Sequence, residues 1–252
     1  MDTDIIAVDV GNSRIKIGWF KNKILKDVFI TPTNNIKSLS FPSRWKSVTP
    51  ISVGTSSVVP SVNPVIKSKI LNFFGQINII VIKPGNCNIP LKIKNKNTVG
   101  VDRVLNCVAA LKLFAGSIVI VDIGTAITID IVSKKGEFVG GLIIPGPSLW
   151  SNALTHTAMI NKCKITEAHT KIPGKNTDEA ISAGIRYGIP GAINNILEHV
   201  FKKYPSAKLV LTGGESMKFY RYIRFKKYVR QHLTLEGINY VISENSLCYP
   251  GK

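Results

Sequence analysis

Twice along the chain, an apolar run ends in aspartate, one apolar residue and glycine, and a second apolar run begins within a few residues. The first copy is Ile5-Ile6-Ala7-Val8-Asp9-Val10-Gly11-Asn12-Ser13, leading into Arg14-Ile15-Lys16-Ile17-Gly18-Trp19-Phe20. The second is Ile118-Val119-Ile120-Val121-Asp122-Ile123-Gly124-Thr125-Ala126, leading into Ile127-Thr128-Ile129-Asp130-Ile131-Val132. Each reads as a buried strand, a turn and a second strand, which together make a β-hairpin. One copy is an ordinary turn. Two copies, each opening one half of the chain, predict a duplicated fold.

The segments between them mix strands with helices. Ser52 to Pro60 reads as a strand leaving into a loop, Asn63 to Phe74 as a helix, and Ile77 to Ile82 as a strand. Val104, Leu105, Val108, Ala109 and Leu111 place an amphipathic helix over Asp102–Phe114, with Gly116 just past its end. Gly140 to Gly146 reads as a strand ending in a turn, and a long helix follows from Asp178, with an interruption expected near Gly188 and Pro190. Lys208 to Gly214 is a strand opening into a glycine turn, with a helix after it. The class is α/β. With 252 residues available, the break falls near Gly116, giving domains over residues 1–116 and 117–252.

Composition narrows the function classes. The chain is 44% hydrophobic and 19% charged, which suits a globular core and excludes disorder, collagen and a coiled coil. No apolar run reaches the ~18 residues of a membrane span. The acidic start shows no signal peptide, and Cys87, Cys107, Cys163 and Cys248 form no CxxC pair. Free thiols and a cytoplasmic location are therefore expected. The net charge of +18 favours anionic partners. The lysines are spread along the chain rather than gathered in a stripe, which fits coding bias with a preference for small anions. Tyr220 to Tyr228 interleaves aromatics with bases, the pattern of a basic surface or of a nucleic-acid contact. His156, His169, His199 and His232 lack metal-ligand spacing and read as surface or packing residues.

Several places can carry chemistry. An aspartate closing a buried strand can reach a metal ion, while the glycine turn after it aims amides and a hydroxyl at phosphate oxygens. Asp9 to Ser13 has those residues, with Lys16 on the next strand to offset negative charge; the same residues also make plain turns. Asp122-Ile123-Gly124-Thr125 repeats the pattern, and Thr212-Gly213-Gly214-Glu215 offers a third glycine turn. Neither a P-loop nor GxGxxG is present. Gly100-Val101-Asp102-Arg103 opens a helix. Asp102 is there either a first-turn acid suited to the helix dipole or a general base beside a cation. Thr177-Asp178-Glu179 has the same two readings, with Thr177 as helix cap or as ligand contact.

Taken in order, Asp9-Val10-Gly11-Asn12-Ser13, Gly100-Val101-Asp102-Arg103, Asp122 through Asp130, Gly140-Gly141 with Pro145-Gly146, and Leu211-Thr212-Gly213-Gly214 resemble the type III pantothenate kinases. These belong to the superfamily of acetate and sugar kinases, heat-shock chaperones and actin. The resemblance runs over nearly the whole chain. It implies two duplicated actin-like (ribonuclease H-like) domains with an inter-domain nucleotide cleft. It also implies transfer of the ATP γ-phosphoryl to pantothenate, giving 4′-phosphopantothenate at the first step of coenzyme A biosynthesis. On matching positions, Asp9, Val10, Gly11, Asn12, Ser13, Arg14, Ile15 and Lys16 would form the first phosphate loop, with Asp9 near Mg²⁺. Gly100, Val101, Asp102 and Arg103 would line the pantothenate site, with Asp102 as proton acceptor. Asp122 would hold K⁺ or NH₄⁺, Thr125 would contact ATP with Gly213 and Gly214 close by, and Thr177 would contact pantothenate. The resemblance further implies a homodimer. The alternatives are a nucleic-acid-associated accessory protein of transcription and a kinase of another small molecule on the same fold; the acidic loops at Asp9 and Asp122 disfavour nucleic acid as a partner, since carboxylates repel its phosphates. Ile93 stands where many members place an aromatic residue, Ser13 where many have threonine, and Glu215 where many have aspartate or a small residue.

Overall fold

The computed structural model describes residues 3–155 and 172–248. His156, His169 and Cys163 lie outside them. The chain divides into two compact units. The first holds residues up to Ala115, the short segment Gly136–Val139, and the chain from His232 onward; the second holds Gly116–Lys135 and Gly140–Gln231.

In the first unit, strands β1 (Asp4–Val10), β2 (Arg14–Lys21), β3 (Ile24–Pro32), β4 (Ser52–Ser57) and β5 (Ile79–Val81) form one sheet in the order β3-β2-β1-β4-β5. Helices α1 (Asn63–Phe74) and α2 (Val101–Leu113) follow. In the second unit, β6 (Ile118–Ile123), β7 (Ala126–Val132), β8 (Phe138–Pro145), β9 (Lys208–Thr212) and β10 (Lys227–Val229) form a sheet in the order β10-β9-β6-β7-β8. The helices there are α3 (Pro147–Thr155), α4 (Thr177–Lys203) and the single turn α5 (Ser216–Phe219). The last helix, α6 (Leu233–Cys248), closes the chain.

Read from its other edge, the second sheet repeats the first. β1 pairs β2 antiparallel and β4 parallel, and β4 pairs β5 parallel. β6 likewise pairs β7 antiparallel and β9 parallel, and β9 pairs β10 parallel. The duplicated α/β organisation expected from the two motif copies is therefore present. Both central strands are apolar on both faces except at their aspartates, which is the composition of a strand covered on two sides.

One sheet face in each unit carries its apolar core. Val8, Val10, Ile15, Ile17 and Val53 cluster with Ile66 and Ile70 of α1 and with Trp45. Val119, Val121, Ile123, Ile127 and Ile129 cluster with Ile181, Ile185, Ile189, Ile193 and Leu197 of α4. At about 25 cal/mol per Å² of apolar surface, such clusters are the main drive for folding.

A single division near residue 116 does not describe the fold, because α6 belongs with the first unit. Leu235 lies against Gly18, Ile238 and Ile242 occupy the space over Gly54, and Gly237 packs on the Leu105 carbonyl. The absence of side chains at these three glycines admits the helix closely to the sheet and to α2. The helix α4 also departs from expectation. It runs unbroken through Gly188 and Pro190. The hydrogen bond lost at Pro190 is offset by its burial among Ile185, Ile189 and Ile193 on the core face.

Candidate active site

In the first unit, the Val10↔Ile15 pair closes the β1–β2 hairpin and leaves a four-residue loop, Gly11 to Arg14. The Gly11 amide donates to the Arg14 carbonyl at 3.1 Å, and a Cβ on Gly11 would stand 3.0 Å from that oxygen. The loop is tied down by Thr33, whose hydroxyl donates to the Gly11 carbonyl at 2.8 Å and whose amide donates to the Ser13 carbonyl. Asn12, Ser13 and Arg14 are exposed at its tip. Val10 and Ile15 are buried in the core, so only their main chain can face a ligand. Asp9 stands across from Lys16 on β2 and across from Ser56 on β4, and the Ser56 hydroxyl donates to Asp9 Oδ1 at 3.2 Å.

The same unit presents Gly100 to Arg103 at the start of α2. Gly100 is the N-cap with extended backbone and no side-chain cap. Asp102 lies in the first turn and accepts from the Arg103 amide at 2.9 Å. Its carboxylate curls back over Gly100, into the place a Cβ there would occupy. Arg103 is half-buried with its guanidinium over the Phe138 ring, 5.6 Å from the centroid. Phe138 is itself stitched to the segment before α2: its amide donates to the Pro90 carbonyl and its carbonyl accepts from Lys92. Val101 is buried, and Ile93 is half-buried in the segment leading to α2.

In the second unit, the Ile123↔Ile127 pair leaves a three-residue loop, one shorter than the first. The Gly124 amide donates to the Ala126 carbonyl, and the Thr125 carbonyl accepts from Gly146 at 3.0 Å. Asp122 faces Thr128 on β7 and Thr212 on β9. The third glycine turn meets it: Gly213 has φ +98°, and a Cβ there would strike the Asp122 carboxylate and the Ile123 backbone. The Glu215 amide donates to the Ile123 carbonyl at 3.0 Å, and its carboxylate pairs with Lys218 at 3.0 Å. Asp122, Thr125 and Gly213 are thus brought together, and Gly214 is exposed beside them.

Thr177 does not cap α4. Asn176 is the N-cap: its side chain accepts from the Glu179 amide at 2.9 Å, and Glu179 in turn accepts from Asn176 Nδ2 and from the Lys175 amide. Thr177 is exposed in the first turn.

The sequence did not point to Ser56, Phe138 or His232. His232 precedes α6, and its Nδ1 is buried without a hydrogen-bond partner. Burial first, then the nearby Lys16 ammonium, holds its pKa below the usual histidine value. His199 is exposed on α4, as a surface residue should be. Cys87 and Cys107 are buried and not in disulfides, and burial pushes the Cys87 thiol up to about 11. Among the described residues no three His, Cys, Asp or Glu side chains cluster to hold a metal. No described helix is long and apolar enough to cross a membrane.

The basic aromatic stretch is tied down around Tyr222 to Arg224, while Tyr220, Arg221, Lys226 and Tyr228 stay exposed. Arg186 bonds the Tyr222 hydroxyl and lies over its ring, Asn194 clasps the Tyr222 carbonyl and the Arg224 amide, and Arg224 pairs with Glu198. Lys227 donates to the Ile223 carbonyl and sits 4.1 Å from the Tyr220 ring centroid. These partners make the segment a structural surface.

Solved structures share this fold. A protein from Campylobacter jejuni described as a conserved Baf family transcriptional activator superposes with a TM-score of 0.60 at 21% identity, covering 96% of this chain and 99% of its own. The activator of 2-hydroxyisocaproyl-CoA dehydratase from Clostridium difficile, solved with bound ADPNP, gives 0.52 at 11% identity over the full length of both. At such identities the likeness concerns the fold alone, a duplicated α/β fold.

The sequence comparisons are narrower. The family model for type III pantothenate kinase matches residues 5–199. The type III pantothenate kinase of Frankia casuarinae is 30% identical over 251 residues, covering 96% of this chain and 99% of its own. That of Rhodococcus erythropolis is 29% identical, covering 96% and 95%. The chain belongs to the type III pantothenate kinase family. It is accordingly a phosphotransferase, a kinase of pantothenate on the route to coenzyme A.

Proposed function

We propose that the chain moves the γ-phosphoryl of ATP to the primary hydroxyl of pantothenate with Asp102 as proton acceptor. The bond from the γ-phosphorus to the β,γ-bridging oxygen breaks, the bond to the pantothenate oxygen forms, and ADP leaves. The hydroxyl proton passes to the Asp102 carboxylate. The observation that carries this reading is the placement of Asp102: a half-buried carboxylate folded over Gly100 at a helix start, beside an arginine whose guanidinium lies over the Phe138 ring. An acid and a cation so placed suit a substrate with a hydroxyl to deprotonate and a carboxylate to bind.

Phosphoryl transfer rests mainly on positioning and on neutralising spread negative charge. The Gly11–Arg14 loop offers exposed amides and the Ser13 hydroxyl to phosphate oxygens, with Lys16 on the strand behind. Thr125, Gly213 and Gly214 serve the nucleotide. Asp9 is a carboxylate near a strand end, which suits Mg²⁺, an ion bound through one or two carboxylates plus phosphates and water. Magnesium bound there supplies charge neutralisation on the triphosphate. Asp122, facing two threonines, supplies oxygen donors suited to K⁺ or NH₄⁺. The exposed Thr177 contacts pantothenate.

A homodimer is supported by Leu142 and Ile143 on β8 and Leu149 on α3, apolar side chains left exposed on one unit. Light scattering after gel filtration measures it directly. We place the enzyme in the cytoplasm, where ATP is available. The reading is tested by pantothenate-dependent ADP release, with mass-spectrometric identification of 4′-phosphopantothenate as product.

A further inference from the structure

The two sheets place a hydroxyl residue at the same point relative to the loop aspartate. On the parallel neighbour of the central strand, Ser56 lies directly across from Asp9, and Thr212 directly across from Asp122. Both are 1% exposed. In the first unit the contact is made: the Ser56 hydroxyl donates to Asp9 Oδ1 at 3.2 Å. A serine hydroxyl has one proton, and here that proton is spent on the carboxylate. At 3.2 Å the bond is longer than a strong O–H···O contact. Its weight therefore lies in orienting the carboxylate more than in stability.

We propose that Ser56 is a positioning residue for Asp9, fixing the rotation of its carboxylate and so its readiness to take magnesium with the nucleotide. This rests on the reading of Asp9 as the magnesium carboxylate. Asp9 stands at the end of β1, and rotation about its side-chain bonds changes which oxygen meets the loop Gly11–Arg14. A buried donor fixed on the adjacent strand selects one rotation, and the parallel register of β1 and β4 fixes the donor. Outer-shell partners of this kind orient metal ligands, and losing one typically costs ~10–100-fold in metal affinity.

The test compares the native protein with Ser56→Ala, Ser56→Thr and Asp9→Asn. A fluorescent ATP analogue is titrated with magnesium and again in EDTA, and melting temperature is followed alongside. For Ser56→Ala the expectation is a loss of ~10-fold or more in magnesium-dependent nucleotide affinity. Affinity in EDTA and melting temperature stay near those of the native protein. Ser56→Thr keeps the hydroxyl, as Thr212 does in the second sheet, and should bind like the native protein. An unchanged magnesium dependence in Ser56→Ala overturns the inference, and so does a well-folded Ser56→Thr that binds as weakly as the alanine variant. Asp9→Asn separates the two levels. If it leaves magnesium dependence intact, the reading of Asp9 itself fails; if it abolishes that dependence and Ser56→Ala does not, only the role of Ser56 fails.

Discussion

The Asp102 carboxylate occupies the space in which a side chain on Gly100 would begin. Gly100 has ordinary extended backbone, φ −60° and ψ 133°, so its identity is set by this neighbour and not by its torsions. Gly100→Ala should therefore leave the melting temperature nearly unchanged, since the group that must move is the end of a side chain. Turnover should fall at least ~10-fold, because the displaced group is the proposed proton acceptor, and general-base catalysis contributes typically ~10²–10⁴-fold. Steady-state kinetics with a thermal melt checks both halves.

Asp102→Asn removes the proposed base while keeping shape and the bond accepted from the Arg103 amide. A loss of ~10²–10⁴-fold in kcat is expected, with nucleotide affinity largely retained. Near-native kcat in the asparagine variant would remove Asp102 from the mechanism.

Gly213 differs from Gly100. Its φ of +98° and its contact with the Ile123 backbone leave no flexible group to yield. Gly213→Ala should cost on the order of 1–3 kcal/mol of stability. It should also disturb the monovalent-cation response, because its new methyl meets the Asp122 carboxylate. Denaturant unfolding and a K⁺ titration of turnover measure the two effects.

At the start of α4, the cap and the proposed substrate contact are adjacent but separate residues. Asn176→Ala should destabilise the protein by about 0.5–2 kcal/mol through loss of the cap. Thr177→Ala should raise KM for pantothenate with little change in melting temperature. Paired melts and kinetics distinguish them.

Burial, and then the Lys16 ammonium, disfavour the charged form of His232, so its folded pKa lies below the usual histidine value. The unfolded chain then binds the extra proton as pH falls through about 6.5, and folding stability falls with it. His232→Gln, which stays neutral, should flatten the decline in melting temperature between pH 7 and pH 5. A decline as steep as the native one would show that His232 does not govern it.

The duplicated hairpins were legible in the sequence because a strand buried on two faces is apolar throughout and its aspartate then stands out. The start of α2 was legible for a related reason: its glycine, acid and base are adjacent in the chain. The last helix was hidden. Its buried face includes Thr234, Glu236 and Asn239, which break the apolar period, and Thr234 is accommodated by donating to Asn106 on α2. The partners of the site residues were hidden by distance along the chain. Ser56 is 47 residues from Asp9, and nothing local to either states their register. Phe138 lies beyond β7, and only the pairing of Leu91 with it brings its ring beneath Arg103. Of the two readings open to Thr177, the cap falls instead on Asn176 one residue earlier, and the sequence does not separate them because asparagine and threonine both cap well.

We propose that pantothenate is phosphorylated here at a site completed by a monovalent cation. The most direct measurement is a coupled ADP-release assay with ATP, Mg²⁺ and pantothenate, run once in K⁺ and once in Na⁺ alone. Turnover that requires pantothenate and is lost without K⁺ is the predicted result. Folded protein that releases no ADP in either salt, or releases it equally without pantothenate, would contradict the account.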